Sequence, residues 1–204
     1  MAQDSTRLTA EMKYRLLLQI SEKISGSLKL EEVLNQLLET VRSVIPFDAG
    51  GIFVLKEKVR PLAQGGLANL IAGMALCGFE PREAAGDPML RSGGGIVGYT
   101  IKTGQSVICP DIRHDPRYIE GRTGTLSEIA VPIVVNQVVI GALNLESDRL
   151  GAFSHEDLEV LQFSANAAAA SIERALLHEQ VMEKKRIERQ LEIAKQVQAG
   201  LLPK

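Results

Sequence analysis

Hydrophobic residues recur at steps of three and four between residues 14 and 45, and the pattern weakens at Gly26. This spacing is the period of helices with one buried face. It predicts two helices that are separated near Gly26. The second should end before Pro46, because the residue that precedes a proline disfavours helical backbone.

Short apolar runs bounded by turn residues follow the helical segment. Residues 49–56 predict a buried strand, and residues 59–64 are expected to return beside it as a hairpin. Residues 67–92 are interrupted by glycines and prolines, and their small side chains at 68–76 favour one short helix.

Three further strands are predicted at residues 106–109, 129–135 and 138–145. Asn136 and Gln137 join the last two in the spacing of a tight hairpin. Pro132 lacks a backbone donor, so we expect a sheet edge or a bulge there.

A last helix is signalled at residues 153–158, where Ser154 can cap it, Asp157 stands three positions later and Phe153 can pack on Leu158. No convincing stop follows before Gly200, so this helix should exceed about forty residues. Helices, strands, an irregular middle, strands and a long helix together indicate an α+β fold with an antiparallel sheet.

The 204 residues suit a single domain with extended helices. The net charge of −2 disfavours a nucleic-acid partner. No apolar run is long enough for a membrane span and no signal-peptide core begins the chain, so we expect no membrane partner and a cytoplasmic location. Two distant cysteines, Cys77 and Cys109, form neither a disulfide scaffold nor a zinc-ligand pattern.

Two segments resemble known site motifs. Residues 93–98 spell a dinucleotide fingerprint but lack the preceding buried strand that it requires, so we interpret them as a glycine-rich helix entrance. Residues 111–115 gather carboxylates and an imidazole, which we interpret as a polar loop at a pocket mouth and not as a metal site. Because hydrolase, phosphotransfer and zinc-protease motifs are also absent from the sequence, we expect that this chain is not itself an enzyme.

The distal part of the long helix carries an apolar stripe between charged positions, at Ile187, Leu191, Ala194, Val197 and Leu201. Such a stripe needs a partner surface. We expect a homodimer that forms through the N- and C-terminal helices; docking of the stripe onto the domain core is the alternative.

Residues 93–99, 103–108, 111–118, 127–133 and 139–147 resemble GAF domains in order and spacing. The phrase Leu-Asn-Leu-Glu-Ser at 143–147, followed by a capped helix, is the most specific element. The resemblance implies a six-stranded antiparallel sheet with helices packed on one face, a small-molecule pocket on the other and a long C-terminal signalling helix. It divides the chain into a tail at 1–13, the domain at 14–178 and a coiled-coil linker at 179–204.

The same resemblance places candidate ligand-binding residues in the pocket. Its apolar lining would be Ile52, Phe53, Ile96, Val97 and Ile108, and its polar rim would be Asp111, Arg113, Tyr118, Ser127 and Glu128. Many GAF domains serve as ligand-free dimerisation modules, in which Phe53 and Ile108 would be plain core. The ligand or cofactor stays unassigned.

The sequence departs from three GAF subgroups. It lacks the polar series of the cyclic-nucleotide binders between Tyr118 and Ser127, and it lacks the attachment cysteine of the bilin binders. Cys77 and Cys109 do not match the clustered cysteines of the free methionine sulfoxide reductases.

Residues 189–204 resemble the linker that precedes PPM-type, SpoIIE-like serine phosphatase domains. The resemblance implies a regulatory module whose helix controls an attached phosphatase domain. Two alternatives remain: a thiol-dependent enzyme that uses Cys77 or Cys109, and a ligand-free dimerisation spacer.

Overall fold

The computed structural model describes residues 26–56, 71–79 and 94–201, together with positions 15, 18, 20 and 22–24, which are helical. Helix α1 spans Leu30–Arg42, and residues 27–29 before it are irregular, as the break near Gly26 predicts. Helix α2 spans Gly95–Thr103, and helix α3 spans His155–Leu201. A 3-10 turn covers Ile112–His114.

Five antiparallel strands form one sheet in the described part of the chain. They are β1 (Ala49–Leu55), β2 (Ile71–Cys77), β3 (Val107–Cys109), β4 (Ser127–Val135) and β5 (Val138–Ser147). Their spatial order is β2-β1-β5-β4-β3, so β5 is the central strand. The α+β class is confirmed, with five described strands where six were expected.

The two faces of the sheet are covered by different helices. Apolar residues at alternate positions of the strands, such as Val54, Val131 and Leu143, pack with α1 and α3 in the main core. Residues in between, such as Phe53 and Ala142, pack with Val97 of α2 on the opposite face. This division follows from the strand geometry, because successive side chains point to opposite sides of a sheet.

The β4–β5 hairpin forms as the sequence predicts. Asn136 and Gln137 both have positive φ, at 49° and 65°, which is the backbone of the tight turns that match strand twist. A register irregularity follows Ile133, and β3 pairs only with the Glu128–Ala130 part of β4. Pro132 therefore lies outside the part of β4 that pairs with β3, and it is next to a bulge. Both positions suit a residue without an amide proton.

Helix α3 begins with a reciprocal cap. The Ser154 hydroxyl accepts from the Asp157 amide at 3.2 Å, and the Asp157 carboxylate accepts from the Ser154 amide at 2.8 Å. Phe153 and Leu158 belong to the same core cluster on either side of this cap. The helix then continues for 47 residues, which confirms both its predicted start and its predicted length.

One sequence interpretation is wrong. Residues 71–76, for which a short helix was expected, lie in strand β2 and pair with β1 from Gly51 to Leu55. Small residues such as Ala72 and Gly73 have little preference for strands, and the pairing with β1 decides their conformation. The strand expected at 59–64 lies outside the described residues.

Candidate functional site: a buried polar cluster on the α2 side of the sheet

Three polar side chains interrupt the apolar surface of the sheet on the side of α2. Glu128 of β4 and Asn144 and Glu146 of β5 are between 1% and 5% exposed. Leu143 precedes Asn144, and Leu145 separates Asn144 from Glu146. Both leucines point to the helical core on the opposite face. The alternation of β5 thus places Asn144 and Glu146 on one face, and the register places Glu146 directly opposite Glu128.

Asn144 connects the two carboxylates. Its amide nitrogen donates to Glu128 Oε1 at 3.0 Å and to Glu146 Oε1 at 3.3 Å. The other Glu146 oxygen accepts from the Thr125 hydroxyl at 2.6 Å. These four side chains form what we call the polar cluster. Like charges on directly opposed strand positions repel, so the hydrogen bonds from Asn144 and Thr125 reduce a cost that would otherwise destabilise the sheet.

The phenol of Tyr118 lies beside the polar cluster. Its oxygen is buried without a hydrogen-bond partner, and the pKa of the phenol is raised by burial and by the charges of Glu146 and Glu128. The Thr125 hydroxyl lowers the pKa of the Tyr118 phenol, but this hydroxyl donates its own proton to Glu146. Tyr118 is therefore a neutral phenol whose oxygen is available for a further hydrogen bond.

The polar cluster also contains an unsatisfied acceptor. Asn144 Oδ1 is buried and has no hydrogen-bond partner. Buried polar atoms without partners are uncommon in folded proteins and mark positions where a water, an ion or a ligand belongs. The arrangement is suited to holding a hydrogen-bond donor, and nothing in it resembles a nucleophile with its base.

A separate group of charged residues forms the loop after β3. Asp111 accepts from the Arg113 guanidinium at 2.7 and 2.8 Å, and His114 contacts the same carboxylate at 3.0 Å. Asp115 is paired in the same way with Arg117, whose guanidinium lies 4.6 Å from the centroid of the Tyr99 ring. These side chains satisfy one another, so they stiffen the loop.

The structure brings only some of the predicted site residues together. Glu128 and Tyr118 meet at the polar cluster, while Phe53, Ile96 and Val97 pack in the adjoining apolar clusters under α2.

The remaining predicted residues lie elsewhere. Ile52 and Ile108 pack in the helical core on the other face, and the Ser127 hydroxyl bonds to the Arg149 carbonyl at 2.6 Å. Asp111 and Arg113 lie in the exposed loop, paired with each other.

Sequence reasoning missed three members of the polar cluster, namely Thr125, Asn144 and Glu146. The signal was present in the phrase at 143–147, where polar residues alternate with leucines. In a strand that is covered on both faces, such alternation places Asn144 and Glu146 on one buried surface.

The cysteines occupy unrelated places. Cys77 lies at the end of β2, where Arg42 Nη1 contacts its sulfur at 2.7 Å. Cys109 is buried beside Asp115, and burial together with that carboxylate raises the pKa of its thiol to about 11. Within the described ranges, no three His, Cys, Asp or Glu side chains converge on a possible metal position, and no helix is long and apolar enough to span a bilayer.

The sequence profile of the GAF domain matches residues 27–173, a span that holds the whole described sheet, α1, α2 and the first part of α3. The chain belongs to the GAF domain family.

One relative of this GAF domain is named as a Nif-specific regulatory protein, and another is named as a nitrogen fixation protein. The Nif-specific regulatory protein of Azospirillum brasilense is 27% identical over 192 residues, which cover 87% of this chain and 28% of that protein. Nitrogen fixation protein VnfA of Azotobacter vinelandii is 34% identical over 110 residues, which cover 49% of this chain and 21% of that protein. The chain thus spans about a quarter of the length of these relatives.

Solved structures share the fold. The GAF domain of a phosphoenolpyruvate-protein phosphotransferase from Coxiella burnetii matches with a TM-score of 0.63 and 18% identity, over 84% of this chain and 99% of that one. A free methionine-R-sulfoxide reductase from Neisseria meningitidis matches with a TM-score of 0.60 and 18% identity, over 86% and 94%. At this identity the likeness concerns the fold alone.

Proposed function

We propose that this GAF domain is a sensory regulatory module. In this proposal it binds a small molecule at the polar cluster, pairs with a second copy through its terminal helices and passes the bound state along α3 to an attached effector domain. It performs no chemistry of its own. The observation that carries the proposal is the continuity of α3, which is one helix from the sheet to the exposed linker.

The first half of α3 belongs to the domain core. Leu161, Ala165, Ala168 and Ile172 are buried against the sheet and α1. The helix therefore rests directly beneath β4, the strand that supplies Glu128. A change in the strands at the polar cluster would alter the surface on which α3 lies.

The helix leaves the domain at residues 179–180. Glu179 Oε1 accepts from the Leu30 amide at the start of α1 at 3.0 Å, and Gln180 Nε2 donates to the Lys56 carbonyl at 3.0 Å. We call these two contacts the exit contacts. They connect the point of departure to both α1 and the end of β1, so a shift of either element would be transmitted to the linker.

Beyond the exit contacts the helix is exposed throughout residues 181–198. Ile187, Leu191 and Val197 are 48–58% exposed, and an isolated helix with such a stripe is marginal in water. Spacings of four and three residues suit pairing with an identical helix. The stripe supports a dimer in which two linkers form a coiled coil.

The relatives support a regulatory role. Two of them are named as Nif-specific regulatory proteins, and the chain covers only 28% and 22% of their length. We infer that the domain acts on a partner domain and not alone. The likeness of residues 189–204 to phosphatase linkers makes a PPM-type serine phosphatase our proposed effector.

Sedimentation equilibrium of the full chain tests the dimer. Ile187→Glu and Leu191→Glu place charges in the stripe and should weaken association at least tenfold, since each buried charge would lack a partner. Lys185→Glu, which changes an exposed residue of the charged stretch, is the matched control. A monomeric wild-type chain, or a dimer that both stripe variants leave intact, would remove the coiled coil from the proposal.

Sensing is tested by the distance between the two linkers. Spin labels at position 185 in a Cys77→Ser, Cys109→Ser background report this distance in the dimer. Asn144→Leu removes the hydrogen bonds to both carboxylates and should shift the distance distribution, whereas Asn35→Leu, on the exposed side of α1, should leave it unchanged. Identical distributions in all three proteins would favour the ligand-free spacer.

A further inference from the structure

We propose that Gln180 is a switch that sets how far the two paired linkers extend towards the domain. While Gln180 donates to the Lys56 carbonyl, the coiled coil ends beyond it; when this hydrogen bond is released, the coiled coil continues back to Leu177 of both copies. The inference rests on the proposed dimer and names the contact that regulates it. It follows from the repeat of α3 and from the position of Gln180 at the end of β1.

The apolar stripe of the linker continues into the domain with the same seven-residue repeat. Gln180 lies seven residues before Ile187, and Leu177 lies fourteen residues before Leu191. Helix α3 is continuous through all four positions, so nothing resets the repeat between them. Residues that share these two positions of the repeat face the partner helix in a coiled coil. The surface that pairs in the linker therefore extends to Gln180 and Leu177.

Leu177 is exposed although it lies on the last turns of α3 that contact the domain. Its exposed fraction is 54%, whereas Ile172 and Ala175 just before it are 0% exposed. A groove of about 260 Å³ lies beside Leu177 and Gln180, and its apolar lining includes Leu55, Ile140 and Leu176. In a parallel dimer the repeat brings the same leucine of the second copy to this face. A second copy of the chain is thus the occupant that fits the exposed surface.

Gln180 is held by the domain in the present arrangement. Its Nε2 donates to the carbonyl of Lys56, the first residue after β1, at 3.0 Å. The same amide cannot bond to Lys56 and also lie between two paired helices. Because Gln180 is exposed, it can exchange one position for the other without disturbing the core.

Both arrangements satisfy the hydrogen bonds of the groups involved. A glutamine amide donates and accepts, so two Gln180 side chains can bond to each other across the two-fold axis of the dimer. Lys56 is exposed, so its carbonyl can then bond to water. A polar residue at a core position of a coiled coil fixes the register but lowers the stability. The choice between the arrangements therefore depends on where the domain holds the Lys56 carbonyl.

Strand β1 connects this carbonyl to the polar cluster. β1 pairs with β5 over its length, and Gly51 lies directly opposite Asn144. A shift between the two strands at Asn144 would move the end of β1, and with it the Lys56 carbonyl, relative to α3. The extent of the coiled coil would then report the state of the sheet.

The test is disulfide cross-linking of the full chain in a Cys77→Ser, Cys109→Ser background, with diamide as the oxidant and at a concentration that keeps the chain dimeric. Single cysteines are introduced by Leu177→Cys, by Ile187→Cys within the linker, and by His178→Cys as a control outside the paired surface. Facing positions of a coiled coil come close enough for a disulfide. We expect rapid cross-linking at position 187 and slow cross-linking at position 178.

Two alanine variants isolate the hydrogen bond to Lys56. Gln180→Ala removes it and leaves in the paired surface the same residue type that stands at Ala194. Lys184→Ala makes the matched change one turn further along the same surface without touching Lys56. We expect Gln180→Ala to raise the cross-linking rate at position 177 about tenfold and Lys184→Ala to change it less than about twofold.

The switch is rejected if Gln180→Ala leaves the rate at position 177 unchanged, if Lys184→Ala raises that rate equally, or if position 178 cross-links as fast as position 177. The proposed dimer is judged separately at position 187. Slow cross-linking there would reject the coiled coil together with the switch. Rapid cross-linking at position 187, with position 177 slow in both alanine variants, would retain the coiled coil and reject the switch alone.

Discussion

Burial lowers the reactivity of the Cys109 thiol. Its pKa of about 11 implies that only about one thiol in a thousand is ionised at pH 8. In a Cys77→Ser chain we expect iodoacetamide to alkylate Cys109 about a hundredfold more slowly than an exposed cysteine, with a rate that keeps rising up to pH 10. Alkylation rates from pH 7 to pH 10, followed by mass spectrometry, measure this.

The same experiment bears on the thiol-dependent enzyme, the alternative that the sequence left open. Rapid alkylation of Cys109 at pH 7 would show that the thiol is activated and would bring that alternative back. Slow alkylation would agree with a side chain that only fills space beside Ala130 and Val107.

Asp115 shows the opposite case, a carboxyl that its partner keeps ionised. The Arg117 guanidinium lowers its pKa to about 2, and the carboxylate is 11% exposed. Because the folded pKa lies below the unfolded one, the stabilisation is complete above about pH 4 and is lost as the pH falls towards 2. We expect Asp115→Asn to cost about 1–2 kcal/mol at pH 7 and progressively less below pH 4.

Urea unfolding of both proteins at pH 7, 4, 3 and 2.5 measures this difference. Glu39→Gln, which changes an exposed carboxylate, serves as the control. A cost of Asp115→Asn that stays constant across this range would show that the substitution acts through packing and not through the ion pair.

Strand β5 approaches β1 closely at Gly141. A Cβ added there would lie 2.2 Å from the Phe53 carbonyl oxygen, so the two strands would have to separate. We expect Gly141→Ala to lower the free energy of unfolding by about 2–4 kcal/mol. Gly26→Ala is the matched control, because nothing lies within 4 Å of its added Cβ, and its effect should stay within about 1 kcal/mol. Chemical denaturation measures the free energy of unfolding of both variants. Equal losses in the two variants would contradict the close approach of β5 to β1 at Gly141.

Elements with strong local signals were predictable from the sequence. The start of α3 follows from Ser154 and Asp157, and the β4–β5 turn follows from the spacing of Asn136 and Gln137. Strand β2 was not predictable, since its alanines and glycine take their conformation from pairing with β1. Local preference decides an element only where no stronger tertiary pairing competes with it.

The polar cluster was predictable only in part. Glu128 and Tyr118 were identified through the family resemblance, but the resemblance also suggested Ser127 and Ile108, which lie on the other face of the sheet. Assigning each strand residue to a face would have separated Glu128 from Ser127. The sequence could not show that Tyr118 and Asn144 carry unpartnered oxygens, because that depends on how loop and sheet pack together.

The division of α3 into a packed half and an exposed half gives the molecule two regions of different stability. Residues 155–175 are held by the sheet and α1, whereas residues 181–198 have no support from the described part of the domain. An unsupported helix of this length frays, so its amides should exchange quickly in the monomer. In a dimer the paired linkers would protect them.

Hydrogen exchange measured across a range of protein concentrations therefore tests the whole architecture. We expect protection of residues 181–198 to rise with concentration, while protection of 155–175 stays constant. Leu191→Glu should abolish the concentration dependence, and Lys185→Glu should preserve it. Protection of 181–198 that is high and independent of concentration would instead mean that the linker docks on its own domain, in which case the exit contacts at Glu179 and Gln180 would be a hinge and not the start of a coiled coil.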